Sequence, residues 1–437
     1  MLSIIIILSI ALAIFLGYRT KINTGLFCIV FAYIIGCFVM GLKPKQIIGF
    51  WPTSTMFVIL SVSLFYNFAA INGTLEKMSG ALLYACRNFP GLLPYALFAV
   101  AVILSVMGAT FFTVLAFLAP ITLVICDESR MDKLTGAVAI NCGALAGGNF
   151  PTSNLGVVFR GLSDTAYEAS PEIAAVDSFN MEMKIFAFAI FFSLILITIF
   201  RFGFKENRNI GKGVTFKKPE SFTKDQKTTL TLMMAMMAVV LIFPLLNILM
   251  PGNAAVKYIS GKVDVGLVAI IFTVIALLLK LAPQKEAIAK VPWNTIIMIA
   301  GAGMLIAVAV EAGTIEALST WIGSNVPKPL VPIAFCLVGA IMSFFSSTTG
   351  VVAPALFPLI PNLAASVGLS APVLFACTIL GAQSSAISPF SSGGSLILGS
   401  TPKEEERNGL FNRLLMVAVP ISVITCTVYN FVIAMVL

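Results

Sequence analysis

Histidine is absent from the 437 residues, and charged side chains make up only 11% of them. The first absence excludes His-based acid/base chemistry, triads of the Ser-His-Asp type and most zinc sites. The second excludes a water-soluble chain, because soluble domains carry roughly 25% charged residues. Eight cysteines are present, but no two share a C-x-x-C spacing, and all lie in or beside apolar runs where they read as small buried hydrophobes. An intramembrane enzyme would need a nucleophile with its base, or paired aspartates at depth, and the sequence offers neither. A net charge of +8 raises the question of nucleic acid, yet the surplus sits mainly in one connecting segment, with no folded basic face. What is abundant is apolar: 59% of the residues are hydrophobic, the composition of a polytopic membrane protein.

Apolar runs long enough to cross a bilayer cover residues 2–17, 24–42, 55–71, 134–160, 183–201, 230–250, 263–282, 294–310, 371–398 and 413–436, which makes ten crossings. Residues 1–17 lack the basic start and small-residue cleavage site of a secretory signal and are read as a mature transmembrane helix. Two further stretches, 92–125 and 330–363, are too long for one straight crossing and are interrupted by small polar residues and proline. A re-entrant hairpin fits each of them, since irregular backbone at depth is tolerated only inside protein or around a cavity.

The chain is internally duplicated. A constant offset of 240 pairs Pro52-Thr53-Ser54-Thr55 with Pro292-Trp293-Asn294-Thr295, Gly73-Thr74 with Gly313-Thr314, Glu76 with Glu316 and Ser79 with Ser319. Further on, at offsets near 234, Ala119-Pro120 falls opposite Ala353-Pro354 and Cys142 opposite Cys377. The domains are therefore residues 1–202, a basic linker 203–228, and residues 229–437. Each repeat holds five crossings and one hairpin, and an odd number of crossings inverts the second repeat relative to the first. With the linker placed in the cytoplasm, 20 of the 27 basic residues fall inside and 7 outside, as the positive-inside rule requires. The expected fold is all-α and polytopic: two inverted-topology repeats with discontinuous helices at the midplane, in the cell inner membrane, with both termini outside. After each Gly-Thr comes an amphipathic stretch, residues 75–89 and 315–326, read as a framework helix in the interface, with Glu76 and Glu316 complementing its N-terminal dipole.

Inverted repeats with broken midplane helices are the pattern of secondary transporters. The first break is expected at residues 143–154, from Gly143 through Gly147-Gly148-Asn149-Phe150-Pro151 to Asn154, and the second at 381–395, around Ser388-Pro389. A plain Gly/Pro kink would explain either one alone. Breaks at matching places in both repeats, both rich in hydroxyls, favour a site. The hairpin tips form a second pair, Thr110-Phe111-Phe112-Thr113 and Ser343 to Gly350. Hydroxyls and carbonyls suit a hard monovalent cation, and half-helix N-termini suit a carboxylate. Glu311 and Asp264 lie at helix ends, so no carboxylate is expected deep in a crossing, nor any buried Arg or Lys. That argues for sodium rather than a proton as the coupling ion. Asn67 with Tyr66, and Asn141, lie within crossings and serve either a site or interhelical hydrogen bonding.

Lys21-Ile22-Asn23-Thr24-Gly25-Leu26 with Ala32-Tyr33, then residues 63–69 (SLFYNFA) and Gly73-Thr74, resemble the N-terminal region of the bacterial malonate/dicarboxylate carriers of the MatC type. Gly147-Gly148 followed by Thr152-Ser153-Asn154 is similar to the break of the wider ion transporter superfamily, which includes the divalent anion:sodium symporters. The resemblance implies a homodimer that carries a small organic anion, most simply a dicarboxylate, by an elevator movement coupled to sodium. No bound cofactor, metal centre or nucleic acid is implied beyond the coupling Na+. By position it assigns sodium to Thr110, Thr113, Gly148, Ser346 and Ser347, and substrate to Thr152, Ser153, Asn154, Thr348, Thr349, Ser388 and Ser391. Two departures stand out: neither tip has the Ser-Asn-Thr signature, and Pro389 falls where the first break has Asn154. A proton-coupled or exchange carrier for another anion, and a passive anion channel, are the alternative readings.

Overall fold

The computed structural model describes residues 2–85, 90–210, 220–250, 253–260, 262–345, 347–401 and 404–436, and among them there is no strand. Cys86, Ser346 and the centre of the linker, 211–219, lie outside the described residues. The first half runs α1 (Leu2–Thr20), α2 (Thr24–Tyr33), α3 (Pro44–Gly49), α4 (Thr53–Ile71), α5 (Thr74–Ala85), α6 (Leu93–Val106), α7 (Phe111–Ser129), α8 (Lys133–Gly148), α9 (Asn154–Glu168) and α10 (Ser178–Gly203). The second half runs α11 (Lys224–Leu249), α12 (Ala254–Ser260), α13 (Val265–Leu278), α14 (Gln284–Ala289), α15 (Trp293–Glu311), α16 (Thr314–Asn325) and α17 (Val331–Phe345). It continues with α18 (Ala353–Leu356), α19 (Ile360–Val367), α20 (Ala371–Ser384), α21 (Ser392–Gly399), α22 (Glu404–Arg413) and α23 (Val419–Val436).

The duplication is visible in the helix bounds. α14, α15 and α16 repeat α3, α4 and α5 at the 240-residue offset, and α20 and α21 begin 238 residues after α8 and α9. Packing repeats as well: α2 lies on α15 as α13 lies on α4, and α6 packs on α8 as α17 packs on α20. The long apolar stretches fold back as hairpins, α6 with α7 and α17 with the run Thr348–Val367. In the first, Gly108 takes φ +94° between α6 and α7. In the second, Ser347 is extended, and a wide turn, Thr348–Val352, leads into the apolar run Thr348–Val367.

Local chemistry fixes the ends. Asp132 caps α8 by accepting from the Thr135 amide at 3.1 Å, and Asp177 caps α10 by accepting from Phe179 and Asn180. Thr223 and Gln226 form a reciprocal capping box that starts α11 inside what the sequence marks as linker. Gly73 and Gly313 precede α5 and α16 with φ +75° and +68°, a left-handed conformation that explains the repeated Gly-Thr. Among the described residues, three helical runs are long and apolar enough to cross a membrane, including Ser178–Gly203 and Glu405–Val436, and nine shorter apolar helices accompany them. With these helices the chain is a multi-pass membrane protein.

The glycines of the first break do something the sequence did not reveal. α8 stays helical through Gly148, and the break is only residues 149–153. A Cβ on Gly143 would lie 2.5 Å from the Phe98 carbonyl oxygen, and one on Gly147 would lie 2.4 Å from that of Val102. In the repeat, a Cβ on Gly381 would lie 2.3 Å from the Cys336 carbonyl oxygen. These glycines bring α8 against α6 and α20 against α17, the close backbone approach of membrane helices.

Candidate functional site

A cavity of about 500 Å³ is lined by both hairpin tips, by the start of α9 just after the first break, and by the second break. Four helix N-termini meet there. Thr110 caps α7 and Ser347 caps the run Thr348–Val367 through their hydroxyls, while Ser153 and Ser391 occupy the N-cap positions of α9 and α21 without a side-chain cap bond. The first residues after these caps, Phe111, Asn154 and Thr348, and the second residue of α21, Gly393, line the cavity. The positive ends of helix dipoles therefore surround a space whose one charged lining side chain among the described residues is Lys290. Such a site favours an anion.

The two tips are built alike. The Thr110 hydroxyl accepts from the Thr113 amide at 3.2 Å, and the Ser347 hydroxyl accepts from the Gly350 amide at 3.2 Å. Thr110 and Thr113 share a hydroxyl contact of 2.8 Å, while Ser343 and Thr348 share one of 3.0 Å. The breaks are also built alike. The Ser153 hydroxyl is directed at the carbonyls of Gly148 and Phe150, and that of Ser391 at those of Ala386 and Ser388. With Ser153 matching Ser391, Pro389 falls opposite Pro151 and Ser392 opposite Asn154, which corrects the alignment of Pro389 with Asn154.

The sequence-assigned residues divide by what their side chains touch. Thr110, Thr113, Asn154, Ser347, Thr348, Thr349 and Ser391 line the cavity. Gly148, at the end of α8, and Thr152, Ser153 and Ser388, in the two breaks, are buried and do not line it. The Thr152 hydroxyl has no hydrogen-bond partner among the described residues. Asn67 donates to the Ala287 carbonyl at 3.0 Å and so joins α4 to α14 while also lining the cavity. Asn141 is buried, and its amide oxygen is unpartnered among the described residues.

Sequence reasoning missed three features. Lys290 lines the cavity but counts in the sequence only as a topology charge. Asn149 and Gln383 join the two breaks directly, through a buried amide pair. Finally, Glu182 is the fifth residue of α10, just before the expected crossing 183–201. It is fully buried on α10, and neither carboxylate oxygen has a hydrogen-bond partner among the described residues. Its position, two residues from an exposed lysine in an amphipathic turn, gave the sequence no sign of burial.

A second cavity, about 610 Å³, lies on the other side of α9. Its framework residues Pro52, Ala307 and Val310 are the repeat counterparts of Pro292, Asn67 and Ala70 in the first cavity. It is acidic where the first is basic: Asp164, Glu168, Asp264 and Glu311 line it with Arg160. Burial holds the Asp164 carboxyl above its ordinary range, against the pull of the Ser178 hydroxyl and the Arg160 charge.

Residues 1–148 match the family described as the N-terminus of the dicarboxylate carrier protein MatC, and residues 255–436 match the citrate transporter family. No curated protein matches the chain. Among solved structures it is similar to the YdaH transporter of Alcanivorax borkumensis, with 18% identity and a TM-score of 0.65 over 89% of this chain and 87% of that one. It is also similar to MtrF of Neisseria gonorrhoeae, which is described within a class of antimetabolite efflux pumps. There the identity is 14% and the TM-score 0.62, over 93% of this chain and 84% of that one. At such identities these two likenesses concern the fold alone. The chain is thus similar to the MatC-type dicarboxylate carriers over residues 1–148 and to the citrate transporters over residues 255–436, and it shares its fold with the two solved transporters.

Proposed function

We propose that the protein is a secondary active transporter of a small organic dianion, a malonate or C4-dicarboxylate, carried with sodium by elevator-type alternating access in a homodimer. The observation that carries this reading is the meeting of four helix N-termini in one cavity, an arrangement that neutralises carboxylates without a buried arginine. The hydroxyls of Thr110, Thr113 and Ser347, with backbone carbonyls, offer the hard neutral oxygens that suit sodium. Both family matches concern carriers of dicarboxylate or citrate type, which fits this substrate class.

Alternating access follows from the paired cavities. With the linker in the cytoplasm, Lys290 marks the first cavity as the inner one and Glu311 marks the second as the outer one. The inner cavity reaches both hairpin tips, and the outer one reaches neither. In this reading the structure faces inward. The hairpins with α8, α9, α20 and α21 form the moving part, and the crossed pairs α2 with α15 and α4 with α13 form the framework.

Glu182 favours a second reading, proton coupling, because it is a fully buried ionisable group of the kind a proton relay needs. Proteoliposomes loaded with no substrate and offered labelled malonate, succinate, citrate and gluconate, under separate sodium and proton gradients, decide between them. Accumulation that ignores sodium overturns sodium coupling, and flux that never runs uphill overturns active transport.

A further inference from the structure

The first break is held from behind by a charge, and that charge has a second suitor. Arg160, two turns into α9, donates to the Pro151 carbonyl at 3.2 Å and lies over the Phe179 ring at 5.3 Å. Phe186 packs against Phe150 of the same break, with ring centroids 5.3 Å apart. Phe179, Glu182 and Phe186 are spaced along one face of α10. Glu182 therefore lies between two rings that both touch the Arg160–break unit. It is fully buried, its oxygens have no hydrogen-bond partner among the described residues, and Arg160 is the charge that acts on it.

A buried carboxylate without donors is stable only if it is protonated or paired. Arg160 is the one charge that acts on it among the described residues. α9 also brings Asp164 and Tyr167, and Asp164, Asp177 and Asp264 compete for the same guanidinium. α8 and α20 bring the neutral thiols Cys142 and Cys377. α6 brings Tyr95, engaged with Thr198, and α23 brings Tyr429, which donates to the Phe188 carbonyl. Lys184, on α10 itself, is exposed.

We propose that Glu182 is a proton-binding site, neutral while Arg160 holds the Pro151 carbonyl and charged when Arg160 swings to pair with it. The proton comes from and returns to water in the outer cavity, which Arg160 and Asp164 line. Loss of the proton withdraws the guanidinium from Pro151, on the segment that leads into the substrate-facing N-terminus of α9. Proton load and the shape of the first break are thereby linked. The site rests on the carrier reading only for the transport half of its test.

The test uses the full chain in proteoliposomes. Uptake of labelled succinate and of citrate is measured with and without an imposed pH gradient at zero membrane potential. The ratio of the two rates, above unity in the wild type, is expected to fall to unity in Glu182→Gln. In parallel, infrared difference spectra of the substrate-free protein should contain a protonated-carboxyl C=O band that titrates with pH and is lost in Glu182→Gln. In Arg160→Gln that band should persist to higher pH. A variant that keeps the gradient response, or spectra in which no such band is lost, overturns the proposal. A wild type that takes up neither anion defeats the substrate reading instead, and the infrared band then decides for Glu182 alone.

Discussion

Asn149 and Gln383 exchange two amide hydrogen bonds, of 3.0 and 2.7 Å, and so tie the end of α8 to the end of α20 across the two repeats. Both side chains are buried, and each satisfies the other. Removing one partner strands an amide away from water, which costs about 1–3 kcal/mol. Asn149→Ala and Gln383→Ala are each expected to lower stability by that amount. The double variant should lose less than the sum, because the two groups fail together. Thermal unfolding in detergent checks this; strictly additive losses would mean the pair contributes nothing as a pair.

The close helix contacts give a sharper pair of variants. A Cβ at Gly381 would meet the Cys336 carbonyl oxygen at 2.3 Å, and one at Gly147 that of Val102 at 2.4 Å, whereas Gly399 has nothing within 4 Å. Gly147→Ala and Gly381→Ala are expected to destabilise by about 1–3 kcal/mol through overpacking. Gly399→Ala should be close to neutral, and the same melting assay reads all three.

These glycines also mark the boundary of what could be read from sequence. Apolar run length, the 240-residue repeat and the hairpin interruptions are properties of the chain itself, and the helices appear where they indicate. A glycine, however, reads the same whether it bends a helix or lets a neighbour approach, so the first break was drawn too long, from Gly143 instead of Asn149. The site residues split for a similar reason. Thr349 and Asn154 look like Ser153 in a string of hydroxyl and amide residues, and only the fold turns Ser153 inward on its own loop. Asn149, Gln383 and Glu182 were hidden because their meaning lies in partners, or missing partners, contributed by distant helices.

Lys290 is the one charged side chain lining the cavity among the described residues, and it is exposed. It can attract a dianion to the inner mouth without binding it tightly. Lys290→Gln is expected to raise the KM for succinate measured from that face by about two- to five-fold, the scale of an exposed charge pair. The difference from wild type should shrink as salt rises. A KM that is unchanged at low salt removes Lys290 from the path.

Asn154 and Thr349 line the cavity, whereas Ser153 and Ser391 direct their hydroxyls at carbonyls of their own breaks. The two kinds of residue should respond differently to the same truncation. Asn154→Ala and Thr349→Ala remove ligand oxygens or amide groups from the anion and ion site, and each lost hydrogen bond to a charged group is worth about 1.5–3 kcal/mol. That corresponds to roughly a ten- to hundred-fold rise in KM or in half-saturating sodium, with little change in melting temperature. Ser153→Ala and Ser391→Ala loosen the turns that set the N-termini of α9 and α21. They are expected to cost about 1 kcal/mol of stability each and to slow the maximal rate more than they raise KM. Uptake kinetics and melting measured on the same four preparations separate the two classes. If Ser153→Ala raises KM while leaving melting unchanged, its hydroxyl faces the substrate in the transporting state, and the assignment of Ser153 to the frame of the break is wrong.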